Sequence, residues 1–291
     1  MNAQLIKNKL SEYYYKSLFA DASVDIHPVS LINSVKSIIG IDFDISHEKL
    51  LDFSIDYCEN HLSVDSIGIF KEVETPSAVS FASLEESLLQ RDFNKSVDNV
   101  SSLLKVSDGK HIIEFLLEYT IKYNIPVYTL VWSVYKMSLF LDHKNINDSI
   151  IFCLKHISNI KMVKKIFHDS ETDINISKYL YNKKSIKKIL LYYSILNEDL
   201  VRHVNISRYI KRNSFKGFDF SNNSKELNVH DDQIKYGRKW ISLHLHRIKD
   251  NDLEPGLIIM LDLFRGALKV SNGRYDRQIW NNLNIFLEKF S

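Results

Sequence analysis

The chain has 291 residues, 45% of them hydrophobic and 25% charged, with 16 Phe and 15 Tyr. That balance excludes a wholly disordered chain and supplies enough apolar mass for a sizeable core. A formal net charge of only +2, with 8 Gly and 4 Pro, argues against a polycation built for nucleic acid and against turn-rich β-sandwiches and barrels.

Apolar residues recur at helical spacing along most of the chain. Leu5, Leu10, Tyr13, Tyr14 and Leu18 outline a first helix. A second is expected from Pro28 to about Ile39, stopping at Gly40. Ser46 precedes a third, Glu48-Lys49-Leu50-Leu51-Asp52-Phe53, and is its expected N-cap. Pro76 leads toward Ser83–Leu89, and further helices are expected at 92–105, 109–123 and 126–142. Residues 146–212 read as several shorter helices, and 213–228 as the most loop-like stretch. Helices resume at 231–249, 255–270 and 274–289.

All four prolines, at 28, 76, 126 and 255, suit a first helical position, where the missing N–H has no intrahelical partner to lose. The expected fold is all-α, a multi-helix bundle of about 14–16 helices. His27-Pro28-Val29-Ser30-Leu31-Ile32 and Ile125-Pro126-Val127-Tyr128-Thr129-Leu130-Val131 align with one insertion. They read either as one internal duplication or as two independent uses of a common helix opening.

Residues 1–145 carry 13 Lys and Arg against 20 Asp and Glu, a net of −7; residues 146–291 carry 25 against 16, a net of +9. An acidic and a basic helical half are therefore expected to pack as a single globular unit. The runs Lys161–Lys165 and Lys183–Lys188 read as a solvated helix face or a surface meeting the acidic half. Cys58 and Cys153 make no disulfide framework. No long apolar leader and no uncharged stretch of membrane-spanning length is found, so a cytoplasmic location without a membrane partner is expected.

The sequence contains no Gly-x-Gly-x-x-Gly, no Walker-type lysine loop and no Gly-x-Ser-x-Gly. Asp44-x-x-His47 and Asp108-x-x-His111 lie at expected turns, where Asp caps helices, and Cys153-x-x-His156 is half a site. No metal is assigned. His244 and His246 would point about 200° apart on a helix, so they cannot share one ion; both are kept as candidate ligand-binding residues. His27 stands before Pro28 at the mouth of an apolar helix and is the candidate acid, base or anchoring donor. Tyr128 and Trp132 begin the equivalent helix and would stack on a ligand.

His27 to Gly40 followed by Glu48 to Tyr57 resembles the opening of the questin-oxidase-like family. Members show a His before an apolar helix ending in Leu-Gly, then a helix ending near a Tyr. Ser87 to Leu141 also looks like a helical region found beside Rieske domains in some bacterial proteins. The likeness covers about the first 130 residues. It departs at the second long helix, where the family's further His is replaced by Ile125 or Tyr128. The resemblance implies oxidative cleavage of an aromatic, polyketide-like ring with NADPH as cofactor. The expectation is an oxidoreductase acting on an apolar small molecule in a pocket between helices, with a homodimer as a further expectation. The alternative is a non-catalytic helical binding or scaffold protein.

Overall fold

The computed structural model describes residues 2–43, 45, 47–63, 80–123, 127–159, 186–213 and 228–288. Among them are fourteen α-helices: α1 Ala3–Ser17, α2 Pro28–Ile39, α3 Glu48–Glu59, α4 Phe81–Gln90, α5 Phe93–Leu104, α6 Gly109–Tyr123 and α7 Tyr128–Phe140; then α8 Ile146–Ser158, α9 Ile186–Leu196, α10 His203–Asn213, α11 Asp231–Tyr236, α12 Lys239–Arg247, α13 Pro255–Ser271 and α14 Asp276–Leu287. The described residues form no sheet; one isolated antiparallel bridge pairs Ala20 with Leu62. The all-α multi-helix bundle is the fold of this protein. No described helix is long and apolar enough to cross a membrane.

The bundle is organised around α2. Ten of its twelve residues are buried, the pattern of a helix with no solvent face. α1, α3, α7, α12 and α13 pack around it. The α2–α7 contact brings the two aligned segments side by side, with the Ser133 hydroxyl 3.3 Å from that of Ser30 and 3.0 Å from the Thr129 carbonyl. On the far side of α7, α6 packs against α7, α8 and α10, while α13 holds α9 and α14. One continuous buried cluster runs from Ile6 to Leu283 and so draws helices from both ends of the chain.

Pro28 and Pro255 both occupy the start of a helix, for the reason given above. Pro76, Pro126, Ser46, most of the 213–228 stretch and most of the two basic runs lie outside the described residues. α3 begins after His47, whose side chain makes no capping bond. Gly40 ends α2 with φ −67°, so this stop does not use the left-handed freedom of glycine. The helix expected over 231–249 is two helices instead. Gly237 divides them at φ 53°, ψ −137°, a conformation that side-chain-bearing residues rarely adopt. α11 is tied to α14 by reciprocal amide bonds: Gln233 Nε2 donates to Asn284 Oδ1 at 2.6 Å, and Asn284 Nδ2 donates to Gln233 Oε1 at 3.0 Å.

Gly109 opens α6 where α8 crosses it. A methyl at that Cα would come 2.8 Å from Ile146 Cγ2 and 2.9 Å from its Cδ1. Overpacking of this kind costs about 1–3 kcal/mol. Gly109→Ala is therefore expected to lower the unfolding free energy measured in urea by that amount, although alanine is the better helix former; an unchanged or raised value would show that the two helices give way freely.

Candidate functional site

His27 is 0% exposed. The Val29 N–H donates to its Nδ1 at 3.2 Å, and its Nε2 lies 3.3 Å from the Ala20 carbonyl. A backbone N–H can only donate, so Nδ1 is the acceptor and the ring proton sits on Nε2. The imidazole is thus neutral, serves as N-cap of α2, and fixes the chain where the Ala20–Leu62 bridge leaves α1. The cap belongs there because Pro28 removes one N–H while Val29, buried, still needs an acceptor. Burial and the neighbouring His156 push the His27 pKa down to about 3, and the positive end of α2 acts in the same sense.

Three rings close around this mouth. Phe152 and His156 of α8 meet His27 edge-on at 5.1 and 5.2 Å between centroids, and each other at 4.5 Å. His156 is partly exposed, and its ring nitrogens make no hydrogen bond among the described residues; burial and Lys155 push its pKa down to about 4. Tyr57 of α3 donates to the Ile26 carbonyl at 3.0 Å and meets the His61 ring at a tilt, 4.3 Å between centroids. His156 is the residue that sequence spacing undervalued. Its single neighbouring cysteine looked like an incomplete metal pair, whereas what matters is that it stands one helical turn after Phe152 on a face turned toward His27.

The other candidate residues do not join His27 in one cavity. Tyr128 stacks on Tyr192 of α9 at 5.7 Å, and its phenol is pushed up to about 12 by burial. Trp132 is buried against Tyr135 at 5.6 Å, with the Lys136 ammonium over its ring at 5.5 Å. His244 lies far along the chain on α12, stacked on Trp240 at 4.7 Å, while His246 points to solvent on the other side of that helix. No group of three or more His, Cys, Asp or Glu side chains among the described residues is placed to hold a metal.

The structure gathers a different set of residues between α6 and the start of α10. Phe81, His111, Val201, Arg202, Val204 and Asn205 line an open depression of about 390 Å³. Its floor is rigid. Arg202 donates to Glu118 Oε2 at 2.7 Å, and its guanidinium lies 4.6 Å from the Phe81 ring and 5.1 Å from that of Phe115. Glu114, one turn before Glu118, is fully buried and accepts the Arg202 backbone N–H at 3.1 Å. A carboxylate at that place satisfies a free donor and the positive end of α10 together. Its other oxygen has no hydrogen bond; Lys110 Nζ stands 3.9 Å away. Val201 and Val204, by contrast, stay 69% and 66% exposed at the rim. His111, Glu114 and Glu118 recur at i, i+3 and i+7, and an acid on the apolar face of α6 was the available signal. Its arginine lies 84 residues later, beyond the reach of local periodicity.

Comparison with known proteins finds no matching family model, no matching curated protein and no matching solved structure.

The His27 geometry makes a pH prediction. Its folded pKa lies below the ordinary histidine value, so the unfolded chain binds the extra proton first, and stability present above pH 6.5 is lost as pH falls toward 3. One such proton contributes a slope of about 1.4 kcal/mol per pH unit. His27→Asn keeps a capping acceptor and removes the titration. Urea unfolding at pH 7, 6, 5 and 4 should show an acid slope shallower by about that much in the variant; parallel slopes would mean that His27 takes up its proton in the folded state.

Proposed function

We propose that this is a non-catalytic helical binding protein that holds a small, largely apolar ligand in the depression between α6 and α10. One observation carries the reading: two valines remain more than half exposed at the rim of a depression whose polar floor is already locked. Apolar side chains kept in water beside a preformed concavity are what a ligand of matching shape would cover. A volume of about 390 Å³ suits a molecule of one or two rings. His111 and Asn205 supply hydrogen-bonding groups beside it. Arg202, already paired with Glu118, offers a flat guanidinium edge and not a free charge. Because the depression is open, affinity is expected in the micromolar range or weaker.

The oxidative reading is the second one. It would act at the α2 mouth through His156, whose ring nitrogens are not engaged, and it follows from the resemblance to the questin-oxidase-like family. It is less well supported because His27, the residue on which that resemblance rests, already uses both nitrogens within the chain. NADPH has no glycine-rich phosphate loop to meet in the sequence, and it has no role in the binding reading.

The test uses 2-naphthol, a neutral two-ring fluorescent probe, titrated into the intact chain. Saturable binding is expected, weakened about tenfold by Val204→Asp and a few-fold by His111→Ala. Val204 is exposed, so its variant should fold normally by circular dichroism. Equal affinity in wild type and Val204→Asp would sink the proposal.

A further inference from the structure

Arg202 is the one permanently charged side chain among the described residues that line the depression. Its guanidinium carbon lies 4.6 Å from the centre of the Phe81 ring and 5.1 Å from that of Phe115, and the two ring centres are 4.9 Å apart. Those three points make a nearly equilateral triangle, so both rings stand to the same side of the guanidinium. Among the described residues no ring covers the opposite side. The Arg202 side chain keeps 23% of its surface exposed. Because it also lines the depression, its uncovered side is the one that opens there.

The charge on this group is already answered. Its edge donates to Glu118 Oε2 at 2.7 Å. The fully buried Glu114 carboxylate takes the backbone N–H of the same arginine, and Lys110 Nζ stands 3.9 Å from its other oxygen. Two carboxylates thus face two cations, and this end of the depression holds no net charge for an anion to neutralise. What it offers is a flat, delocalised cation, backed by two rings and open on one side. Such a plane stacks on aromatic faces, where the ring quadrupole is negative. A saturated ligand would gain contact area there but not that attraction.

We propose that the depression selects neutral, planar aromatic molecules, which lie flat on the open side of the Arg202 guanidinium. Val201 and Val204 border the ring at the rim, and His111 and Asn205 serve a hydroxyl or carbonyl substituent. The ligand completes a stack that the protein begins with Phe81, Phe115 and Arg202. This inference rests on the binding reading above and names the chemical class that the site prefers.

The test is a calorimetric titration of the intact chain with 2-naphthol and with decahydro-2-naphthol, which shares its carbon skeleton and hydroxyl but has no π system. 2-Naphthol is expected to bind about fivefold tighter or more. Arg202→Lys keeps a positive charge near Glu118 but lacks the flat face, and should bring the two affinities within about twofold of each other. 2-Naphthoate, an anion of similar outline, should bind no tighter than 2-naphthol. Equal binding of the aromatic and saturated alcohols, both weakened by Val204→Asp, would overturn this inference and leave the binding reading standing. A preference that survives Arg202→Lys, or a tighter hold on 2-naphthoate, would do the same. Saturable binding of neither alcohol would overturn both.

Discussion

A helix whose first turn is buried on every side cannot leave the capping of its start to water. That constraint governs α2, and most of the structure follows from it. Its four leading N–H groups are reduced to three by Pro28, and His27 accepts the Val29 N–H among them. Because the cap is an imidazole, its second nitrogen must also be satisfied, and the Ala20 carbonyl does this at the point where α1 ends. The cap therefore links three things at once: the start of the central helix, the turn after α1, and the Ala20–Leu62 bridge that brings α3 alongside. Phe152 and His156 then fill the space that the ring leaves open.

The same need explains where polar side chains enter the interior. Several buried serines of α4, α5 and α7 return their hydroxyl protons to carbonyls or to one another, as Ser87, Ser96, Ser101 and Ser133 do. Small hydroxyl residues let helices approach while keeping those donors paired. Charges are handled less uniformly. Glu118 and Arg202 form a closed pair whose guanidinium lies against the neighbouring rings of Phe81 and Phe115, whereas Glu114 keeps one oxygen without a hydrogen bond. Buried groups that are only part-satisfied are costly. They stand out here because most neighbouring polar groups are paired.

The ion pairs that join the two ends of the chain act more on orientation than on stability. Lys187–Asp25, Lys239–Asp42 and Arg202–Glu118 each set a cation from the basic half against an acid from the acidic half. The first two are largely exposed at one partner and contribute little. The third lies against the Phe81 and Phe115 rings and forms the floor of the depression on which the binding reading rests.

Much of the architecture was legible from residue order alone. The 3.6-residue recurrence of apolar side chains, prolines placed at helix starts, and the scarcity of glycine together specify an all-α bundle and locate α1, α2, α5, α6 and α13 to within a residue or two. Local chemistry also marked His27 as a special residue. It did not reveal that both its nitrogens face the chain, because the Ala20 carbonyl is placed by a bridge to Leu62, a contact between distant segments. Nor did it divide 231–249 at Gly237, since a glycine within a helical pattern is tolerated as often as it turns. The depression at Arg202 belongs wholly to the tertiary structure. Periodicity shows which face of a helix is buried; which side chain from another helix lies against that face depends on how the helices pack, and partners separated by 84 residues leave no local trace.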